Sequence, residues 1–263
     1  MLVMGIVNAT PDSFSDGGAY DPVARALALV ACGADWIDIG GESTRPGADP
    51  VSEAEELARI LPVIRSLRTA DAARISVDTM KPGVARAAVS AGATLWNDVS
   101  ALSAPGAPET CAELGCDVVL MHMRGEPRTM QINPTYDAVV EEVSAWLGAR
   151  AEMAMTAGVA RERIWLDPGI GFGKTAQHNL ELLGGLDHLV ALGFPLLLGA
   201  SRKGFMRKVA PMAETAADRL GGSIAVALAA QRAGVAMVRV HDVRETVQAL
   251  AVARAIEGAH ARA

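Results

Sequence analysis

The chain has few cysteines and few aromatics, and it has no long apolar run; each shortage excludes something. Three cysteines, Cys32, Cys111 and Cys116, stand in 263 residues with no CxxC pair. They offer no disulfide framework and read as small buried hydrophobes in a reducing compartment. No run approaches 18 apolar residues, so nothing reads as a membrane span. No basic segment precedes the opening run Leu2–Val7, and Asn8 and Asp12 come directly after it, so no signal peptide is read and a cytoplasmic location is expected. Lys plus Arg total 24 against 30 acidic residues, a net charge of -6, which gives no overall field that would gather nucleic acid. His122 and His178 lack HxxxH spacing, and His188 falls inside a helical stretch, so no metal-ligand cluster is legible. No GxGxxG comes after the first apolar run. Gly169 to Thr175 spells GxGxGKT, not GxxxxGK[ST], which argues against a nucleotide site.

What the chain does have is 51% hydrophobic content arranged in a repeat. Eight short apolar runs recur: Leu2–Val7, Trp36–Ile39, Ile75–Val77, Thr94–Trp96, Asp117–Met121, Ile164–Leu166, Pro195–Leu198 and Ala236–Val240. Most are continuous rather than alternating, the pattern of strands buried on both faces. Segments of helical period lie between them: 22–33, 52–69, 82–91, 108–115, 136–157, 177–191, 214–233 and 243–260. Ser52 with Glu55 spaces as a capping box and Thr135 is placed to cap the fifth helix. Gly33, Gly92, Gly115, Gly158, Gly193 and Gly234 fall where helices end. Strand and helix alternating eight times predicts an α/β fold, a (β/α)₈ TIM barrel forming one domain over 1–263. A doubly wound open sheet is the rival; the lack of polar edge strands favours closure.

Polar residues gather after the strands, at what would be one rim of a barrel, where barrel active sites sit. Asp78, Asn97 and Asp167 end the third, fourth and sixth runs. Any one alone reads best as a helix cap. Three at neighbouring strand ends read as a mouth, where buried carboxylates need a hydrogen-bond donor such as a heterocycle with an amidine-like edge. Lys203, Arg239 and His241 are counted as cationic groups across that rim. Arg239 stands within an apolar strand and so reaches a partner in the mouth. With Asn8 on the adjoining first strand, these groups predict a phosphate or diphosphate site. A hard divalent ion would be held by phosphate oxygens, water and one oxygen ligand such as Asn8 or Asp16. Met121, Met123 and Met130 read as core by default, or as an apolar slot for a flat ring.

These segments resemble one family along nearly the whole chain, in order. Gly5 to Gly18, Asp38 to Gly47, Ser76-Val77-Asp78-Thr79, Trp96 to Ser100, Met121 to Gly125, Asp167 to Lys174, Ser201-Arg202-Lys203 and Val238 to Asp242 are similar to the motifs of the dihydropteroate synthases. The resemblance implies Mg²⁺-dependent transfer from 6-hydroxymethyl-7,8-dihydropterin diphosphate to p-aminobenzoate, with release of pyrophosphate, in a homodimer that sulfonamides target. It assigns the pterin edge to Asp78, Asn97 and Asp167, with Lys203 on the ring system. Asn8, Arg239 and His241 take the diphosphate, and Asn8 and Asp16 lie near the metal. Phe14, Asp16, Thr44, Arg45 and Pro46, on two closing loops, serve the metal, the leaving group and the p-aminobenzoate, with Phe172 flanking that ring. A pterin-binding methyltransferase barrel would share the pterin clamp without the anion site, and a non-catalytic barrel would share only the scaffold. Ala9, Trp96 and Gly204 depart from the family pattern. Trp96 suggests a repacked barrel interior, and Gly204 removes a side-chain contact. The first strand begins where relatives carry a segment that covers the barrel bottom.

Overall fold

The computed structural model describes residues 1–10, 21–43, 49–70, 73–126 and 128–260. Its strands are β1 (Leu2–Asn8), β2 (Trp36–Gly40), β3 (Arg74–Asp78), β4 (Leu95–Asp98), β5 (Asp117–Met121), β6 (Ile164–Asp167), β7 (Leu197–Leu198) and β8 (Met237–Val240). They pair in parallel in the order β6-β5-β4-β3-β2-β1-β8-β7. A bridge between Leu166 and Leu196 joins the two ends, and Leu166 N–H donates to the Pro195 carbonyl at 3.0 Å. The sheet is therefore a closed barrel, as the repeat predicts.

Around it lie α1 (Pro22–Ala31), α2 (Glu53–Ala70), α3 (Pro82–Ala91), α4 (Ala107–Leu114), α5 (Val139–Thr156), α6 (Ala176–Gly184), α7 (Leu186–Val190), α8 (Phe205–Val209), α9 (Leu220–Arg232) and α10 (Val243–His260). Asp21 caps α1 through the Val23 N–H, with Pro22 in the first turn, where its missing donor costs nothing. All six glycines placed at helix ends adopt positive φ.

Three helix expectations need correction. The stretch 177–191 breaks into α6 and α7 at Gly184-Gly185, two poor helix formers in succession. The segment after β7 adds α8, and α9 starts only at Leu220, after a single tight turn at Ala217–Arg219. Thr135 does not cap the fifth helix, which starts at Val139. Glu142 does that work from within the helix, accepting from Asp137 N–H at 2.8 Å and Ala138 N–H at 3.1 Å.

The strands have two buried faces, and they differ. The outer face packs on the helices in one large core that includes Ile37, Ile39, Val77, Trp96 and Val118. The inner face carries a separate plug of Met4, Trp36, Leu95, Val119, Leu197 and Met237, flanked by Leu2 and Trp165. Side chains alternate along a strand. The next inward positions towards the C-terminal ends are thus Ile6, Asp38, Asn97, Met121, Asp167, Gly199 and Arg239. Trp96 lies on the outer face, its indole N–H donating to the Thr79 carbonyl at 2.8 Å. Trp96 therefore takes no part in filling the barrel interior.

Candidate active site

The layer above the apolar plug is the site. Asp38 is its hub and is fully buried. Its Oδ2 accepts from Arg239 Nε at 2.6 Å and from Asn97 Nδ2 at 3.0 Å. Its Oδ1 accepts from Ser76 Oγ at 2.5 Å. Arg239 Nη2 donates to Asp78 Oδ2 at 2.8 Å. Four strands, β2, β3, β4 and β8, are thus tied side chain to side chain beneath the mouth.

This network decides what the site can offer a ligand. Asn97 spends an amide N–H on Asp38, so its carbonyl oxygen remains as an acceptor. Asp78 Oδ1 is buried without a hydrogen-bond partner among the described residues. Asp167 Oδ1 accepts from Gly169 N–H at 2.7 Å, while Oδ2 faces the space beside Gly199. A Cβ at Gly199 would lie 3.5 Å from Asp167 Oδ2 and 3.9 Å from Arg239 Cδ. Of these, Asp78 Oδ1 is the buried acceptor left without a donor, which is costly until a ligand supplies one; Asn97 and Asp167 each add an acceptor oxygen beside it.

The electrostatics agree. Burial pushes the Asp78 carboxyl up to about 7, against the pull of Arg239 and with a push from Asp38. Asp38, ionised on the same arginine, offsets part of the pull that Arg239 exerts on Asp78. Burial raises Asp167 to about 6, opposed by the Gly169 N–H, Lys203, Arg239 and Lys174. Arg239 is held above the ordinary guanidinium value, because Asp38 and Asp78 outweigh its burial.

Lys203 lies beside this layer with its Nζ 4.1 Å from the centre of the Phe172 ring, a cation–π contact. The loop that carries it is braced from two sides. Arg202 N–H donates to Ser223 Oγ of α9 at 2.9 Å, and Arg202 Nε to Asp242 at 2.9 Å. His241 stands just past β8, with Nδ1 3.0 Å from Ser201 Oγ. Burial, with Arg239 and Arg202 near it, lowers its pKa to about 3. The count of three rim cations is thereby corrected: His241 is a neutral ring that can donate one hydrogen bond to an anion, and Arg239 and Lys203 carry the charge. Asn8 sits half-buried at the end of β1, in register with Gly40. Met121 is buried one inward step above Val119 and forms part of the wall.

Asp98 is a local brace of the turn that follows β4, well before α4 begins. It accepts from Ser100 N–H and Leu102 N–H, both at 2.8 Å, and faces away from the mouth. Phe14, Asp16, Thr44, Arg45 and Pro46 lie outside the described residues. The residue that sequence reasoning missed is Asp38. Its signal was present: a carboxylate two positions after inward Trp36 in an otherwise apolar strand. A separate recess of about 640 Å³, lined by Asp35, Arg68, Arg74 and Thr94 among others, opens at the opposite end of the barrel. It contains none of these groups.

Residues 4–241 match the family model of pterin binding enzymes. The dihydropteroate synthase of Escherichia coli K12 is 46% identical over 257 residues, covering 96% of this chain and 90% of that one. The dihydropteroate synthase of Xanthomonas albilineans solved with 4-aminobenzoic acid superposes with a TM-score of 0.92 at 48% identity, covering 97% of this chain and 93% of the other. The same enzyme solved with 7,8-dihydropteroate gives 0.88 at 46%, with the same coverage.

Proposed function

The chain belongs to the dihydropteroate synthase family, transferases of folate biosynthesis, and we propose how its strand ends divide the condensation of 6-hydroxymethyl-7,8-dihydropterin diphosphate with p-aminobenzoate. The reading rests on one observation: acceptors on β3, β4 and β6 stand together in one layer around Asp38, with the cation Arg239 among them and Lys203 beside them. A pterin edge, with its ring N–H and exocyclic amine, supplies the donor that Asp78 Oδ1 lacks and further donors to Asn97 and Asp167. Lys203 donates to the ring system, with Phe172 against it. Arg239 and neutral His241, next to Asn8, hold the diphosphate.

The bond that breaks joins a ring-attached CH₂ to the diphosphate oxygen. Arg239 stabilises the charge that grows on the departing group. Asp78 and Asp167 favour the positive charge that the electron-rich pterin takes up. The arylamine of p-aminobenzoate is unprotonated at neutral pH and forms the C–N bond through its lone pair; the anilinium proton it then carries is acidic enough to leave to solvent, so no general base is assigned, and His241 is not one. Exclusion of water protects the cation from hydrolysis.

Magnesium fits this site as an ion held chiefly by the substrate. Among the described residues no group of three or more His, Cys, Asp or Glu could hold a metal. The proposed ligands are phosphate oxygens, water and the Asn8 side-chain oxygen, hard donors of the kind the ion prefers, with Asp16 as the further proposed ligand. Bound there, the ion would neutralise charge on the diphosphate.

None of the described helices is long and apolar enough to cross a membrane; the cytoplasm is the proposed location. A homodimer through the late helices is supported by the exposed side chains of Val209 and Met212 at and after the end of α8 and of Val252 and Ile256, one turn apart on α10.

The test is direct. With Mg²⁺ and both substrates, folded protein should release pyrophosphate and form dihydropteroate well above the uncatalysed rate; background turnover would end the proposal. Arg239→Ala should weaken binding of the pterin diphosphate far more than binding of the hydroxymethyl-pterin alcohol, and equal losses would remove Arg239 from the anion site.

A further inference from the structure

Lys174 is almost fully buried, yet among the described residues it forms no salt bridge. Its Nζ lies 2.9 Å from His122 Nδ1, 3.0 Å from the Gly169 and Phe172 carbonyls, and 3.3 Å from the His122 carbonyl. All four neighbours can act as acceptors. They belong to two rim loops, one after β5 and one after β6, whose backbones touch. A Cβ on Gly169 would fall on the His122 carbonyl oxygen, and one on Gly173 would fall on that of Arg124. Both glycines have positive φ, so a side chain is excluded twice over. Carbonyl dipoles brought this close repel unless a cation sits between them.

The rest of the β6 loop is also tied down. Gly171 N–H donates to Asn179 Oδ1 at 2.7 Å, Gln131 Nε2 to the Gly171 carbonyl at 2.7 Å, and Tyr136 Oη to the Gly173 carbonyl at 2.9 Å. The loop carries Phe172 at its tip, under Lys203. Burial draws the Lys174 pKa down to about 7, with Asp167 pulling up and Lys203 and Arg124 pulling down. The acceptors around Nζ decide for the ammonium form, since a neutral amine would turn its lone pair on a carbonyl oxygen. His122 is held neutral, at about 3, by burial and by Lys174. Its Nδ1 is therefore the acceptor and Nε2 carries the proton.

We propose that Lys174 is a positioning residue for the second substrate: its ammonium is a built-in cation that locks the β5 and β6 loops together and thereby sets Phe172 against Lys203. The inference rests on the reading that Phe172 flanks p-aminobenzoate.

Lys174→Met keeps the unbranched chain and removes the N–H donors, so it separates the cation from mere packing. In the holoenzyme the KM for p-aminobenzoate should rise at least about ten-fold, while affinity for the pterin diphosphate stays within about two-fold. An unchanged KM, or equal losses for both substrates, overturns the proposal. Nitrogen NMR of the unaltered protein gives a second readout if the variant does not fold. At pH 6, below the Lys174 pKa of about 7, Nζ should be an ammonium and His122 the Nε2–H tautomer; a neutral amine or an Nδ1–H imidazole there overturns the proposal as surely. Absence of turnover in the unaltered enzyme would instead condemn the functional reading, and the NMR states would still judge the lock.

Discussion

Two layers of the barrel interior lie one inward step apart and have opposite chemistry. Trp36 is paired with Asp38 two residues on, Leu95 with Asn97, Trp165 with Asp167 and Met237 with Arg239. The lower member of each pair packs in or against the apolar plug, and the upper member is a polar group of the site, buried at Asp38, Asn97 and Asp167 and partly buried at Arg239. The lower layer carries no charge, and the buried polar atom it leaves without a partner among the described residues is the Trp36 indole N–H. The upper layer contains an arginine shared between two carboxylates and an acceptor, Asp78 Oδ1, with no partner among the described residues. The comparison shows where stability and function separate: rigid walls and a dry floor come from the lower layer, while the upper layer carries an electrostatic cost that only a ligand offsets.

The comparison breaks hardest at Asp38. Asp38→Leu extends the apolar layer upward by one residue, leaves Arg239 with Asp78 alone, and frees the Asn97 amide to flip. Removing one partner of a buried ion pair costs ~3–5 kcal/mol, so urea unfolding should show a loss of that order, together with loss of pterin binding. A variant as stable as the parent would mean that the hub holds nothing.

Leu95→Ala tests the lower layer in isolation. Leu95 is fully buried in the plug, and its truncation should cost about 2–5 kcal/mol. Pterin binding by the molecules that remain folded should change little, because no atom of the upper layer is removed. If affinity falls with stability, the layers are not separable. Asp167→Asn reverses the pattern. It should retain the fold and lose about 1.5–3 kcal/mol of pterin binding, the range for a hydrogen bond to a charged group, measured by titration calorimetry.

Much of this arrangement was legible in the residues, for a physical reason. Strands buried on both faces cannot hide, because polar residues would be costly anywhere but their ends. The runs from Leu2, Trp36, Ile75, Asp117 and Ile164 therefore stand out, and their polar endings Asp78, Asn97 and Asp167 mark the rim. Asp38 is harder to see because it lies inside a strand, among apolar neighbours, and not in the polar loop beyond its end. Alternation counted from Trp36 places it inward with Asn97 and Arg239. The charge state of His241 was not legible, since it depends on burial and on Arg202 and Arg239, which reach it only through the fold. The break at Gly184-Gly185 was visible as two glycines, but the helical period continued on either side and masked it.

The smallest effect concerns protons in the upper layer. Asp78 has a folded-state pKa raised from 3.8 to about 7, and Asp167 one raised to about 6, both chiefly by burial. A raised carboxyl pKa means that the folded state binds protons the unfolded state has released. These groups therefore favour the fold most fully below their unfolded values, and that contribution is lost as the pH rises through 6 to 7. A ligand that donates to Asp78 requires the ionised form, so its binding must run the other way. With one proton to displace at a pKa of about 7, pterin affinity should fall about ten-fold between pH 8 and pH 6, equivalent to ~1.4 kcal/mol. Asp78→Asn, which has no such proton, should bind weakly and with a flat profile over that range. A parent profile already flat from pH 8 to pH 6 would mean that the orphaned oxygen of Asp78 is not where the ligand docks, and the site would have to be rebuilt around Asn97 and Asp167 alone.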